Sequence, residues 1–187
     1  MKITLLGDSI RWIGYGTVVP TMLGDGYEVY QPNENCRFSK YTLRMLADIE
    51  NDVKNSDIVH WNNGLWDVRR LFDGETVTTK EEYVKNMCRI ADYLLNNCKK
   101  VIFATITPVT NVQPTISNKD INEYNALIVP ILKEKGVIIN DLNSFVSKNV
   151  EEYIRKDDNI HLTEKGINDT AAQVIKHIKY AESLIEK

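Results

Sequence analysis

Near its N-terminus the chain reads KITLLGDSI (residues 2–10), a short apolar run that ends at a glycine, an aspartate and a serine. The run Ile3–Leu6 within it is followed by four more of the same kind, rich in β-branched and aromatic residues: Tyr27–Tyr30, Ile58–Trp61, Val101–Ile106 and Val137–Ile139. These runs are almost continuously hydrophobic, which is typical of strands in a parallel sheet covered on both faces. The sequence therefore predicts five parallel strands.

The segments between these runs carry the three- and four-residue spacing of amphipathic helices. The clearest covers Lys80–Cys98, where Thr78 or Thr79, each with a glutamate three residues on, suits a capping box. A second covers residues 121–136, in which Pro130 predicts a kink or an early break, and a third begins at Thr163. Strands that alternate with helices form right-handed βαβ units. We predict one domain over residues 1–187, a flavodoxin-like three-layer α/β/α sandwich.

Composition narrows the classes of function. The 187 residues are 43% hydrophobic and 26% charged, as in ordinary globular proteins, and the net charge of −3 favours neither nucleic acid nor an anionic membrane as a partner. The apolar run before Gly7 is too short for a signal peptide, and no later run reaches the ~18 apolar residues of a spanning helix. Three cysteines without CxxC spacing argue against a disulfide framework or a zinc site. We expect a soluble, cytoplasmic protein.

Ser9 is a candidate nucleophile at the end of the first strand, and a serine hydroxyl needs a nearby base to take its proton. The chain has three histidines. His177 falls within the last helical pattern, which indicates a structural or solvated side chain, and His60 lies in an apolar strand, where a hydrogen-bonded core histidine is expected. His161 lies in a polar loop three residues after Asp158. This spacing lets the carboxylate reach the imidazole and orient it.

Other interpretations of the same residues remain open at this point. Ser9 also suits the N-cap of the helix after the strand, and Asp157 and Asp158 also suit loop carboxylates beside a helix N-terminus. Asp8 as a phosphoryl-accepting nucleophile lacks a second acidic residue two positions on. A metal site around His161 has no second histidine nearby, so no metal ligands are predicted.

Two segments together resemble one enzyme family. The segment GDSIRWIGYG (residues 7–16) resembles the first block of the SGNH hydrolases, the GDSL-type esterases and lipases, and DNIHLTEKG (residues 158–166) resembles their last block. The resemblance implies that Ser9 is the nucleophile, that His161 is the base and that Asp158 orients it. It also implies an acyl-enzyme mechanism that needs no cofactor or metal.

The third block of that family usually reads GxND at the end of the third strand, and its asparagine side chain donates to the oxyanion. Here Asn62 takes the donor position if His60 replaces the glycine and Asn63 the aspartate. The other alignment begins at Gly64 and puts Trp66 at the donor position, where so large a ring fits an oxyanion hole poorly. We therefore predict Asn62 as the side-chain donor.

The second block usually supplies a backbone N–H from a glycine, but residues 33–39 contain none. A backbone donor requires no particular side chain, so we expect Cys36 or Arg37 to serve beside the N–H of Ser9. The candidate substrate-binding residues are Trp12, Tyr15, Arg37 and Asn63.

The absence of a long insertion that would form a lid favours a small acyl group over a lipid chain. We therefore expect an acetyl ester, on a carbohydrate or a similar alcohol. A lysophospholipase or thioesterase using the same residues is the alternative among enzymes. A carbohydrate-binding relic that has lost turnover is the alternative from another class.

Overall fold

A computed structural model describes residues 1–185 of the chain. Its strands are β1 (Lys2–Gly7), β2 (Glu28–Tyr30), β3 (Ile58–Asn62), β4 (Lys100–Ala104) and β5 (Ile138–Asn140). They form one sheet in the order β2-β1-β3-β4-β5, and every neighbouring pair is parallel. The predicted parallel α/β fold is confirmed, with the strand bounds shifted by one or two residues.

Helices cover both faces of the sheet, which explains why the central strands are continuously apolar. All of β3 is buried, as is β1 after Lys2 and β4 after Lys100. The helices are α1 (Ser9–Trp12), α2 (Val19–Leu23), α3 (Ser39–Asp48), α4 (Glu50–Lys54), α5 (Lys80–Asn97), α6 (Asn118–Glu134), α7 (Leu142–Ser147), α8 (Val150–Tyr153) and α9 (Glu164–Ser183), with a 3₁₀ turn at Tyr15–Thr17. Helices α3, α5 and α6 pack beside one another, while α9 packs against the sheet with α2, α7 and α8.

Two of the three predicted helix patterns fold as expected. Helix α5 is capped by Thr79, whose side chain accepts from the N–H of Glu82, and α9 is capped by Thr163. The predicted early break at Pro130 is wrong, because α6 continues through it to Glu134. Ala126, whose carbonyl the proline cannot bond, is exposed, so water can satisfy that carbonyl.

The strand order reverses its direction at β1, which puts a topological switch point between β1 and β3. Ligands of open α/β sheets bind at the carboxyl ends of the strands near such a point. Gly7 at the end of β1 pairs in register with Asn62 at the end of β3. The segment Asp8–Ser9 therefore emerges at the place where a ligand is expected. Within residues 1–185, no helix has both the length and the apolar character needed to cross a membrane.

Candidate active site

Ser9 is the first residue of α1, and its hydroxyl is not used to cap that helix. The N-cap is Asp8, whose Oδ1 accepts from the N–H of Ile10 at 2.9 Å. The interpretation of Ser9 as a capping serine is therefore wrong. Since the short turn from β1 into α1 is held by Asp8, the Ser9 side chain is left for another partner.

That partner is His161, which lies 152 residues further along the chain. The Ser9 Oγ and the His161 Nε2 are 2.8 Å apart, and the His161 Nδ1 lies 2.8 Å from Asp158 Oδ2. Because the carboxylate accepts from the Nδ1–H, the Nε2 is left without a proton and accepts from the Ser9 hydroxyl. This is the geometry in which an imidazole activates a serine.

The Asp158 carboxylate is held in place by the backbone of its own loop. Its Oδ1 accepts from the N–H groups of Ile160 and His161, each at 2.9 Å. Burial acts to raise the pKa of Asp158, but these two hydrogen bonds and the one from the His161 ring outweigh it and keep the pKa below its usual value. The carboxylate therefore remains charged beside the ring that it orients.

The neighbouring Asp157 does not compete for His161, because its carboxylate pairs with the guanidinium of Arg155. Asn159 shapes the same loop in a left-handed conformation with φ of 64°, which asparagine tolerates better than most residues. Its Oδ1 accepts from the Thr110 hydroxyl at 2.7 Å, which ties the loop to the segment after β4. The histidine loop is thus fixed at both ends of the turn.

The other two histidines have structural partners. His60 is fully buried between Tyr15 and Asn140, whose amide lies 3.1 Å from its Nε2, and burial lowers its pKa to about 3. His177 lies in α9 with its Nδ1 2.9 Å from the carbonyl of Gln173. Both predictions of a structural histidine are confirmed.

The side chain of Asn62 serves the protein interior, contrary to its predicted role as oxyanion donor. Its Nδ2 donates to Asp8 Oδ1 at 2.8 Å, and its Oδ1 accepts from the Tyr15 hydroxyl at 2.7 Å. Tyr15 is fully buried, so its prediction as a substrate-binding residue is wrong. Asn62 instead stabilises the turn before Ser9 through its hydrogen bond to Asp8. Burial raises the pKa of Asp8 against the opposing effect of these hydrogen bonds.

The predicted backbone donors of the second block are also occupied. The N–H of Cys36 donates to the carbonyl of Gly7 at 3.0 Å, and the N–H of Arg37 donates to Asn35 Oδ1 at 2.7 Å. The Arg37 guanidinium lies 4.7 Å from the centre of the Tyr41 ring. The predicted role of Cys36 and Arg37 as oxyanion donors is therefore wrong, because each N–H already has an acceptor in the protein, while substrate binding by the exposed side chain of Arg37 stays a prediction.

Asn63 is buried as well, contrary to its predicted role as a substrate-binding residue. Its Nδ2 donates to the carbonyl of Arg37 at 2.9 Å, and its Oδ1 accepts from the indole N–H of Trp61 at 2.8 Å. Consecutive residues at the end of β3 thus point to different partners, but neither Asn62 nor Asn63 faces the space beside Ser9. Their polar groups are needed to close the turns around the site.

The geometry favours the alignment of the third block that begins at Gly64. Gly64 has φ of 142°, and a Cβ there would lie 2.3 Å from the side chain of the buried Ile106, so glycine is required. Asp67 then takes the aspartate position, and its buried carboxylate accepts from the backbone N–H and the hydroxyl of Ser39. Burial raises the pKa of Asp67 to about 6 despite these hydrogen bonds.

This requirement for glycine gives a stability prediction. We expect Gly64→Ala to lower the free energy of unfolding by about 2–4 kcal/mol, because it adds backbone strain and a clash in the core. Gly74→Ala is the matched control, since Gly74 also has a positive φ but open space around it. Urea unfolding measures both. Equal losses would show that the contact with Ile106 has no influence.

A cavity of about 230 Å³ opens beside the Ser9–His161 pair. Its walls are mainly apolar, and the residues that line it with the pair are Trp12, Ile13, Asn35, Leu65, Trp66, Arg69, Ile116 and Ile160. Trp12 lies where it was predicted. Sequence reasoning missed Arg69, and it missed Asn35 although Asn35 belongs to the loop in which a donor was sought.

Comparison with solved structures found the same architecture over nearly the whole chain. The acetyl xylan esterase AlAXEase is 24% identical, with a TM-score of 0.77 over 95% of this chain and 100% of its own. A lipase/acylhydrolase from Enterococcus faecalis is 19% identical, with a TM-score of 0.78 over 95% of both chains. The chain has the SGNH hydrolase fold. A scan of protein-family models and a search of curated proteins found no match.

A third structure with the SGNH fold is Axe2, an acetylxylan esterase from Geobacillus stearothermophilus. It is 18% identical, with a TM-score of 0.76 over 95% of this chain and 93% of its own. Structures of three catalytic mutants of Axe2 replace a serine, an aspartate and a histidine by alanine. At these identities the likeness is one of fold.

Proposed function

We propose that the protein is a serine ester hydrolase that acts on a small acyl ester through an acyl-enzyme intermediate. The observation that carries the proposal is the continuous hydrogen-bonded series Ser9–His161–Asp158, with 2.8 Å at each step, beside an open cavity. The three kinds of residue replaced in the catalytic mutants of Axe2 are the same kinds. We also propose that residues 1–187 form one domain.

In this mechanism the Ser9 Oγ attacks the ester carbonyl carbon while its proton passes to His161 Nε2. The tetrahedral intermediate collapses, the bond to the alcohol oxygen breaks, and His161 returns the proton to the departing alcohol. Water then attacks the acyl-enzyme while His161 takes a proton from it. The bond to the Ser9 Oγ breaks, His161 returns the proton to Ser9, and the acid is released. Asp158 stabilises the imidazolium that forms twice in this cycle. The backbone N–H of Ser9, at the start of α1, is one donor to the oxyanion.

Size and lining of the cavity support a small ester. About 230 Å³ is below the ~300–1,000 Å³ of drug-sized sites, so a short acyl group fits better than a lipid chain. Trp12 and Trp66 line the cavity and are partly exposed, and the flat faces of aromatic side chains suit the ring of a sugar. Two of the structural neighbours are acetyl xylan esterases. We therefore propose an acetyl group on a carbohydrate as the substrate class.

The cavity predicts a dependence on acyl length. With p-nitrophenyl esters, we expect kcat/KM to be highest for acetate and propionate and to fall by about tenfold or more at octanoate, because a chain too long for the cavity clashes with its walls. Steady-state hydrolysis of the chain-length series measures this. A value of kcat/KM that climbs with chain length would favour a lipase or acylhydrolase, which the apolar walls and the Enterococcus neighbour make the second candidate.

Covalent labelling separates an enzyme from a carbohydrate-binding relic. A fluorophosphonate probe is expected to label the protein at Ser9, and p-nitrophenyl acetate is expected to be turned over. Binding of an acetylated xylo-oligosaccharide without labelling or turnover would favour the relic.

The thiols of Cys36, Cys88 and Cys98 are free, which supports our proposal of a reducing, cytoplasmic location.

A further inference from the structure

The oxyanion of the proposed reaction needs a second donor, and the donors predicted for it are engaged elsewhere. Asn62 does not line the cavity and its Nδ2 donates to Asp8, the N–H of Cys36 donates to Gly7, and the N–H of Arg37 donates to Asn35. The second donors expected from the sequence are therefore not free to act beside the Ser9 N–H. A single donor is unusual, because removing one from such a pair typically costs about 10²–10³ in turnover.

Asn35 carries a side-chain amide beside the cavity. Its side chain is partly buried and lines the same cavity as Ser9 and His161. The Oδ1 accepts from the N–H of Arg37 at 2.7 Å, which fixes the amide orientation because only the oxygen can accept that hydrogen. Within the part of the chain that the structure describes, the Nδ2 has no acceptor. Its two hydrogens are therefore available to a bound molecule.

The loop that carries Asn35 is held against the nucleophile turn by Arg11. Arg11 is only 1% exposed and lies in α1, two residues after Ser9. Its Nη1 donates to the carbonyl of Pro32 at 2.9 Å, and its Nη2 donates to the carbonyls of Glu34 at 2.6 Å and Gly7 at 3.2 Å. One buried guanidinium thus connects the end of β1 to two carbonyls of the loop just before Asn35. The position of Asn35 relative to Ser9 is set before substrate binds.

We propose that the Asn35 Nδ2 donates to the oxyanion together with the backbone N–H of Ser9, a role that the family resemblance gave to Asn62. The inference rests on the proposed esterase function and names a catalytic residue for it. In the tetrahedral intermediate the carbonyl oxygen gains a full negative charge, so a donor fixed beforehand binds it more strongly than it binds the ester. Asn35 therefore acts mainly on kcat.

Trp66 is the competing donor, because its indole lines the same cavity. Trp66 is 37% exposed, and within residues 1–185 its Nε1 makes no hydrogen bond that would fix the ring. An oxyanion donor must be held in position before the reaction to be effective. The anchored amide of Asn35 meets this requirement and the indole of Trp66 does not.

The test compares three variants by steady-state hydrolysis of p-nitrophenyl acetate. Asn35→Asp keeps an oxygen for the Arg37 N–H but removes the donor, so we expect kcat to fall by about 10²–10³ or more while the melting temperature stays unchanged. Asn35→Ala should fall by a similar factor, with KM changed by less than about threefold. Asn33→Ala, at an exposed position of the same loop outside the cavity, should keep normal activity.

A tetrahedral inhibitor gives a readout that a purely structural role would not move. An aryl trifluoromethyl ketone forms a charged adduct with a serine, so its Ki should rise by about the same factor as kcat/KM falls in the Asn35 variants. Near-normal kcat in Asn35→Asp would overturn the inference, since it would leave only the loop anchor. A loss confined to Trp66→Phe would assign the donor to Trp66. Inactivity of the unmutated protein would instead refute the proposed function itself.

Discussion

Ser9→Ala is expected to lower ester hydrolysis by about 10⁴–10⁶-fold and to abolish fluorophosphonate labelling. The variant removes the only atom that forms the bond to the acyl group in the proposed mechanism. Because Asp8 caps α1 and the Ser9 hydroxyl does not, the melting temperature should remain within a degree or two of the unmutated value. Hydrolysis of p-nitrophenyl acetate and labelling followed by peptide mass spectrometry are the measurements.

Ser183→Ala is the matched control for this experiment. Ser183 is exposed at the end of α9, and its hydroxyl donates to the carbonyl of Tyr180. We expect the control to retain full turnover and labelling. Labelling that persists in Ser9→Ala at another serine would contradict the assignment of the nucleophile. Full activity in Ser9→Ala would reject the esterase mechanism altogether.

The fold was predictable from the sequence because burial on both faces leaves a direct mark. Strands such as β3 are buried at every residue, so the sequence has a short apolar run at each of them. The polar residues that follow each run then mark the carboxyl end of the strand. Pro130 shows the limit of such reasoning. The helical pattern around it was stronger than the local preference of one proline on an exposed face.

The pair Asp158–His161 was predictable because its contact is local. Three residues separate the two side chains, so a single turn brings them together and long-range packing only has to deliver Ser9. The alternative of Ser9 as a helix cap was plausible from sequence, and it fails only because Asp8 reaches the N–H of Ile10 first. A sequence pattern does not show which of two neighbouring side chains caps a helix.

The oxyanion donors were not predictable, because each depends on which partner a polar side chain finds in three dimensions. Asn62 stands at the end of the correct strand, but its amide is taken by Asp8 and Tyr15, which are distant in sequence. The choice between two alignments rested on the chemistry of one side chain. The backbone of Gly64 and the burial of Asp67 decide it, and neither is apparent without coordinates.

Asp158→Asn is expected to lower kcat by about 10²–10⁴-fold with little change in KM, because it reverses the tautomer of His161. The amide oxygen of the variant is expected to keep accepting from the N–H groups of Ile160 and His161, which turns its NH₂ toward the Nδ1 of the ring. The Nδ1 then accepts and the proton moves to Nε2. A protonated Nε2 cannot take the proton of Ser9.

Asp157→Asn provides the matched comparison one residue away. Asp157 pairs with Arg155 at the surface, so its variant should retain normal kcat in the same hydrolysis assay. The expected difference also has a structural readout. In Asp158→Asn the ¹⁵N chemical shifts of the His161 ring should show Nε2 protonated near neutral pH, whereas in Asp157→Asn the proton should remain on Nδ1. A large loss of kcat in Asp157→Asn with nearly normal kcat in Asp158→Asn would contradict the assignment. It would mean that Asp157, although paired with Arg155, orients the base.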